Sequence, residues 1–293
     1  MDNDIINIVL VCDDYYTVLL VAFLKSVEVN HKKDETITVF IVSDNISTKN
    51  KLRIEKSLLL KKMVLHWIEM EDAIPKDVSL PFVTNSYPLN IFLRILIPYF
   101  IPSNVKRVIY FDVDMIMLGD ISDLWNIEIG DSIVGAVCDS IGADENTIEV
   151  GVRNYLELGL NPNERYFNSG LLIIDIPKWL GENVTQRTFD AISKNKKYAA
   201  LSDQYGLNIS LYKQWFSIDR LWGTFSINQV PNPYLIHYIH RKPIFKSYYY
   251  HYREEFYYYL NLTAWKGFQP IGDNSRYVKK VKNLVQKLNF LKK

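Results

Sequence analysis

Three apolar, β-branched runs open this chain, Ile5–Cys12, Thr36–Val42 and Val64–Ile68, and segments of helical character separate them. That alternation restricts the fold more than any other feature. Strands so apolar on both faces belong inside a sheet covered by helices, and strand–helix–strand units close right-handed into a mostly parallel sheet. Tyr16–Val29 predicts a helix with Val18, Ala22 and Val29 on its apolar face, and Ser47 predicts the cap of a second helix running to Leu60. A further helix is expected over Leu89–Leu96, and further strands over Val108–Phe111, Ile133–Val137 and Leu171–Ile174. Gly142–Arg165, polar and rich in Gly, Asn and Glu, has the composition of a surface excursion. The expected class is therefore α/β, a Rossmann-like, mostly parallel mixed sheet flanked by helices.

The chemistry begins at RVIYFDVDMIML, Arg107–Leu118, where two carboxylates end an apolar run. Side chains two apart on a strand share a face, so Asp112 and Asp114 are expected side by side. Two like charges there repel unless a cation lies between them, and a hard divalent ion with positions open to phosphate oxygens suits the pair. A solvated pair that merely closes the strand remains the alternative.

Composition narrows the function classes. The 293 residues could hold one large α/β domain or two small ones, and a net charge of +1 makes no case for nucleic acid as a partner. The 20 Tyr, 14 Phe and 6 Trp suit either a thick core or a protein that stacks sugars on rings. Cys12 and Cys138 each sit in an apolar run and are expected to be reduced, as in a cytoplasmic protein. The acidic start, Met1–Asp4, does not resemble a signal peptide, and no uncharged run reaches the ~18–20 residues of a membrane span. Residues 1–272 are expected to form one catalytic domain.

The segment 273–293 differs in character. From Asn274 onward it carries seven Lys or Arg and no acidic residue, with Val278, Val281, Leu284, Val285, Leu288 and Leu291 at helical spacing. Such a basic amphipathic helix either packs back on the body or lies on an anionic membrane, here the inner face of the plasma membrane.

Five motifs in order resemble glycosyltransferase family 8, especially its bacterial α-galactosyl- and α-glucosyltransferases of lipopolysaccharide or capsule synthesis. They are VLVCDDYY (Val9–Tyr16), RVIYFDVDMIM with Gly119-Asp120 and Leu124-Trp125 downstream, RYFNSGLLIIDIPKW (Arg165–Trp179), Ser202-Asp203-Gln204, and Ile236-His237-Tyr238 with Lys242-Pro243. The resemblance implies a GT-A fold, a UDP-sugar donor, a glycan or glycolipid acceptor and retention of anomeric configuration. It departs at HYIHRKPIF: the family's usual Gly is absent, Ile244 stands where a Trp is expected, and Lys242 comes one residue early, which leaves His240 and Arg241 as alternative phosphate contacts.

Residue by residue, the resemblance implies a metal site of Asp112, Asp114 and His237, with Mn²⁺ suiting carboxylate plus imidazole better than Mg²⁺. Donor contacts are implied at Asp13, as acceptor for the uracil N3–H, at Tyr16, as its stacking ring, and at Arg94, Val113, Ser169 and Lys242. Asn168, Asp203 and Gln204 would surround the transferred sugar, Asp203 orienting the anomeric carbon and Gln204 lying near the reacting face; Asp139 would take donor or acceptor hydroxyls. Plainer roles stand beside these: Asp13 as helix cap, Tyr16 and His237 as core residues, Arg94 as half of a structural salt bridge. Tyr248–Tyr259 reads better as helix packing than as a sugar platform. Two other functions compete, a GT-A module that binds without turnover and a haloacid-dehalogenase-type phosphatase, which also uses Asp-x-Asp after an apolar strand.

Overall fold

The computed structural model describes residues 5–59, 61–81, 88–141, 144–199, 202–274, 277–279, 281 and 285. Twelve strands occur among them: β1 (Ile5–Asp13), β2 (Thr36–Asp44), β3 (Met63–Glu69), β4 (Arg107–Phe111), β5 (Met115–Met117), β6 (Val134–Cys138), β7 (Ser140–Ile141), β8 (Asp144–Glu145), β9 (Phe167–Asp175), β10 (Trp215–Ile218), β11 (Thr224–Phe225) and β12 (Leu235–His237). Seven form the main sheet in the order β10-β6-β9-β4-β1-β2-β3. All run parallel except β9, which is antiparallel to both β4 and β6. β1 lies between β2 and β4, so the chain winds outward in both directions from it. The crevice beyond the β1 and β4 carboxyl ends is the switch point where open α/β sheets bind ligands.

Alternation along the strands divides the core between two faces. Ile6, Ile8, Leu10 and Cys12 of β1 join Ile109 and Phe111 of β4 on one face, whereas Val9, Val108 and Tyr110 join Leu172 and Ile174 on the other. The first face carries the helix Thr17–Asn30, which buries every residue from Thr17 to Val27 because it is covered on both sides. Beyond it lie the helix Arg253–Leu260 and a second sheet, β11-β12-β5. Asn30 ties these layers together, its Nδ2 donating to the Met117 carbonyl (2.9 Å) and Tyr259 Oη (2.7 Å). The aromatic run near residue 256 is core here, with Phe256 and Tyr259 buried.

Several boundaries differ from expectation for local reasons. The helix capped by Ser47 covers only Thr48–Glu55. Beyond it the Ser57 hydroxyl takes the Arg53 carbonyl and also receives the Ala264 amide, replacing the next helical bond. Leu89–Ile95 winds as a 3₁₀ helix, and Pro98 just beyond cannot donate to the Arg94 carbonyl as a continuing α-helix would require. Gly142–Arg165 is not all surface, since Ile148, Val152 and Asn154 are buried. Asp112 and Asp114 are not on a strand at all; they sit in the link between β4 and β5. Most of the expected C-terminal helix, including Leu284, Leu288 and Leu291, lies outside the described residues, although 277–279, 281 and 285 are helical. No helix of the described residues is long and apolar enough to cross a membrane.

Candidate active site

Two sheets meet at the carboxyl end of β4 and bring together residues far apart in sequence. After Phe111 the chain leaves the main sheet, turns through Asp112-Val113-Asp114 and enters β5 of the small sheet. Opposite β5 runs β12, with His237 paired to Met115 and the Tyr238 amide donating to the Asp114 carbonyl (2.9 Å). His237 Nε2 therefore lies 3.3 Å from Asp114 Oδ1 and 3.9 Å from Asp112 Oδ2. One ligand atom from each of the three residues lies within 4.8 Å of the others. Donors bound octahedrally at ordinary Mg²⁺ distances are separated by about 3–4 Å, so these atoms suit one small divalent ion with slight closure. Asp114 Oδ1 is also buried with no hydrogen-bond partner among the described residues, an acceptor of the kind a cation would satisfy.

Third in the arrangement is the Asn168-Ser169-Gly170 start of β9, opposite Asp112, whose amide donates to the Gly170 carbonyl (2.8 Å). Arg94, from the 3₁₀ helix, is buried and holds three groups at once. Its guanidinium donates to Asp112 Oδ1 (2.8 Å) and to the Ser169 carbonyl (2.8 Å), and its Nε lies 3.2 Å from Asp203 Oδ2. It also lies over the Tyr110 ring, 4.8 Å from the centroid. The Tyr110 hydroxyl donates to Asp112 Oδ1 (2.7 Å). The plainer expectation for Arg94, a salt bridge to a carboxylate, thus holds as geometry, and its carboxylates belong to the candidate site.

Electrostatics distinguish the two aspartates. Burial, joined by the neighbouring Asp114 charge, holds the Asp112 carboxyl above its ordinary range against the pull of Arg94. Burial acts on Asp114 in the same sense, but Lys242 and His237 outweigh it and hold its carboxyl well below that range. Lys242 reaches the site despite its early position: its Nζ pairs with Asp114 Oδ2 and donates to the Tyr238 carbonyl (2.6 Å). His240, exposed, takes a left-handed backbone conformation (φ 57°), and Ile244 is fully buried.

A polar cluster continues from there. Gln204 Oε1 accepts from the Ser169 amide (3.2 Å) and Asn168 Nδ2 (3.3 Å), and Gln204 Nε2 donates to Asp139 Oδ2 (2.9 Å). Asp139 follows β6 and is held by Asn146 Nδ2 (2.9 Å). Asp13 and Tyr16 lie at the end of β1, beside β4. Asp13 Oδ1 caps the following turn by accepting from the Tyr16 amide (3.1 Å), as the helix-cap alternative expects. Its other oxygen pairs with Lys279 Nζ.

Four of these positions are not among the residues singled out in the sequence: Tyr110, Asn146, Gly170 and Lys279. Tyr110 could have been found, since it stands two residues before Asp112 in the same apolar run. Gly170 has a close-approach role that no spacing reveals, and Lys279 comes from a segment whose charge pattern pointed outward.

Comparison with known proteins agrees with this geometry. The model of glycosyl transferase family 8 matches residues 7–244. General stress protein A of Bacillus subtilis is 28% identical over 286 residues, 90% of this chain and 96% of that protein. A lipopolysaccharide 1,2-glucosyltransferase of Escherichia coli is 26% identical over 67% of this chain and 56% of its own length. Among solved structures, the galactosyltransferase LgtC in complex with donor and acceptor sugar analogues superposes with a TM-score of 0.72, at 20% identity over 88% of this chain and 96% of that one.

Proposed function

From the premise that this chain belongs to glycosyl transferase family 8, and is a glycosyltransferase of GT-A fold, we propose that it moves a hexose from UDP to a cell-surface glycan with retention of configuration. Glucose, the sugar in the E. coli relative's name, and galactose are the two candidates, with lipopolysaccharide, lipooligosaccharide or capsule as acceptor class. The observation that carries the reading is the convergence of Asp112, Asp114 and His237 at the sheet's switch point, beside the β1 end that carries Asp13.

Asp112, Asp114 and His237 would hold the divalent ion, Mn²⁺ in preference to Mg²⁺. Bound there, it supplies Lewis-acid neutralisation of the charge that develops on a departing diphosphate. The residues do the rest. Asp13 accepts from the base, and Tyr16 offers it a ring. Lys242, freed from Asp114 as phosphate oxygens arrive, and Arg94, already fixed by Asp112, Ser169 and Asp203, add positive charge where negative charge grows. Val113 and Ser169 complete the donor's surroundings. Asp203 and Asn168 orient the sugar hydroxyls, and Asp139 accepts from a hydroxyl of donor or acceptor.

Gln204 is an amide whose oxygen already accepts three hydrogen bonds, a poor nucleophile, so a covalent sugar–enzyme species is disfavoured. The acceptor hydroxyl attacks from the face that UDP leaves, forming the new glycosidic bond as the C1–O bond to UDP breaks. The hydroxyl's proton passes to the departing phosphate oxygen.

The body, residues 1–272, carries the chemistry. Val278, Val281 and Val285 of the basic tail are exposed, which supports peripheral contact with the anionic cytoplasmic face of a membrane.

The test is a thermal-shift panel of UDP, GDP and CMP with and without Mn²⁺, then UDP-glucose and UDP-galactose hydrolysis, repeated on Asp114→Ala. UDP stabilisation that needs Mn²⁺, and turnover reduced at least ~1,000-fold in the variant, are expected. Full metal-dependent turnover by Asp114→Ala sinks the assignment, and hydrolysis of simple aryl phosphates instead would point to a phosphatase. Sedimentation with anionic vesicles, unchanged when residues 274–293 are removed, would refute the tail's membrane role.

A further inference from the structure

The C-terminal segment returns to the crevice through one side chain. Tyr277, Val278, Val281 and Val285 are exposed, whereas Lys279 between them is not. Lys279 Nζ pairs with Asp13 Oδ2, and the two side chains are only 12% and 16% exposed. The same ammonium lies 3.6 Å from the centroid of the Tyr16 ring and 4.7 Å from that of Tyr15. Burial presses on its charge, and Asp13 opposes that pressure. The segment is anchored where it leaves the body: Asp273 Oδ1 pairs with Arg241 and accepts from Ser247 Oγ (2.7 Å), and the Lys246 amide donates to the Ile271 carbonyl (2.9 Å). Five residues lie between Asp273 and Lys279 in sequence.

A pyrimidine base stacked on Tyr16, with its N3–H on Asp13, needs the same ring face and the same carboxylate. A cation 3.6 Å above a ring already stands at stacking height, so base and ammonium exclude each other. We infer that residues 277–279 act as a strap whose Lys279 ammonium occupies the base half of the donor crevice and competes with the nucleobase for Asp13 and Tyr16. This rests on the reading of Asp13 and Tyr16 as the base contacts. The metal half is untouched, because Lys279 has no recorded contact with Asp112, Asp114 or His237 among the described residues. Donor affinity is then reduced by the fraction of molecules in which the strap is seated. If roughly nine in ten are seated, the apparent dissociation constant rises about tenfold.

Calorimetric titration of the full chain with UDP and, separately, with inorganic pyrophosphate, both in Mn²⁺, tests the strap. Lys279→Ala is expected to tighten UDP about tenfold and leave pyrophosphate unchanged, while Lys279→Arg keeps wild-type affinity for both. Tyr16→Ala made on the Lys279→Ala background should lose UDP affinity. Unchanged or weaker UDP binding by Lys279→Ala, with Tyr16 still mattering, overturns the strap and leaves the base contacts standing. No effect of Tyr16→Ala overturns the base contacts, and the strap with them. Equal tightening of pyrophosphate and UDP also defeats the proposal, since it would place the effect at the metal.

Discussion

Gly170 has no room for a side chain. A Cβ built there would lie 2.7 Å from His237 Cε1 and 2.9 Å from both Asp112 Oδ2 and Asn168 Oδ1. None of those neighbours is the far end of a flexible chain: His237 is packed edge-on against Phe225, Asp112 is pinned by Arg94 and Tyr110, and Asn168 is bonded to Gln204. The single methyl group of Gly170→Ala must therefore push two of the three proposed metal ligands apart. The expected cost is about 1–3 kcal/mol of stability, typical of overpacking at a closed site. Mn²⁺ affinity should fall at least ~10-fold, more than stability alone explains, because the variant displaces His237 and Asp112 together. Isothermal titration with Mn²⁺ beside a denaturant melt separates the two effects; unchanged metal affinity would show that the ligands are free to adjust.

At the scale of elements, the loop after β12 shows how a departure from the family pattern is accommodated. His240 takes φ 57°, a conformation that costs a side-chain-bearing residue about 1–2 kcal/mol relative to glycine. Keeping it there lets Lys242 reach Asp114 one residue early. His240→Gly is expected to melt at the wild-type temperature or slightly above, relief of strain being offset by a more flexible unfolded chain. His240→Val, β-branched and poorly suited to positive φ, should lower stability by about 1–2 kcal/mol, read in a thermal melt; equal melting of the two variants would mean the loop is not strained. The parts of the fold that were readable have the same local origin. β1 and β2 are apolar runs dominated by Ile and Val that no helix pattern matches, and Ser47 caps where a cap was expected. Strand direction is not written in residue type, so the antiparallel setting of β9 was not legible. β5 and β12, three residues each, are too short to show a period. For that reason Asp112, Asp114 and His237 were gathered by motif order, and the physical cause, a second sheet crossing the end of the first, comes only from the coordinates.

Across the whole molecule, the two cysteines end different strands of the main sheet, one central and one next to its edge, and offer a probe of its cooperativity. Cys12, at the end of β1, is 2% exposed, and Cys138, at the end of β6, is 5% exposed. Burial, reinforced by the Asp13 charge, pushes the Cys12 thiol well above its ordinary value. Burial, with Glu145, pushes Cys138 up to about 12. The thiolate is the reactive form, so Cys138 presents far fewer thiolates near pH 8 than an unfolded chain does. The sign is the same at both sites: the folded chain keeps its protons on sulfur, and reaction with an alkylating reagent must await opening. β1 is central, joined to β2 on one side and β4 on the other, so Cys12 is released only when the sheet itself comes apart. Cys138 sits beside the β9 register shift and the short β7–β8 hairpin, a less continuous part of the ladder. Quantitative alkylation followed by mass spectrometry should find Cys138 labelled faster than Cys12 at low denaturant. The two rates should converge at the unfolding midpoint, and Mn²⁺ with UDP should slow both by tying the β1 and β4 ends together. Equal, rapid labelling of both cysteines in the absence of denaturant would contradict the buried placement of these strand ends.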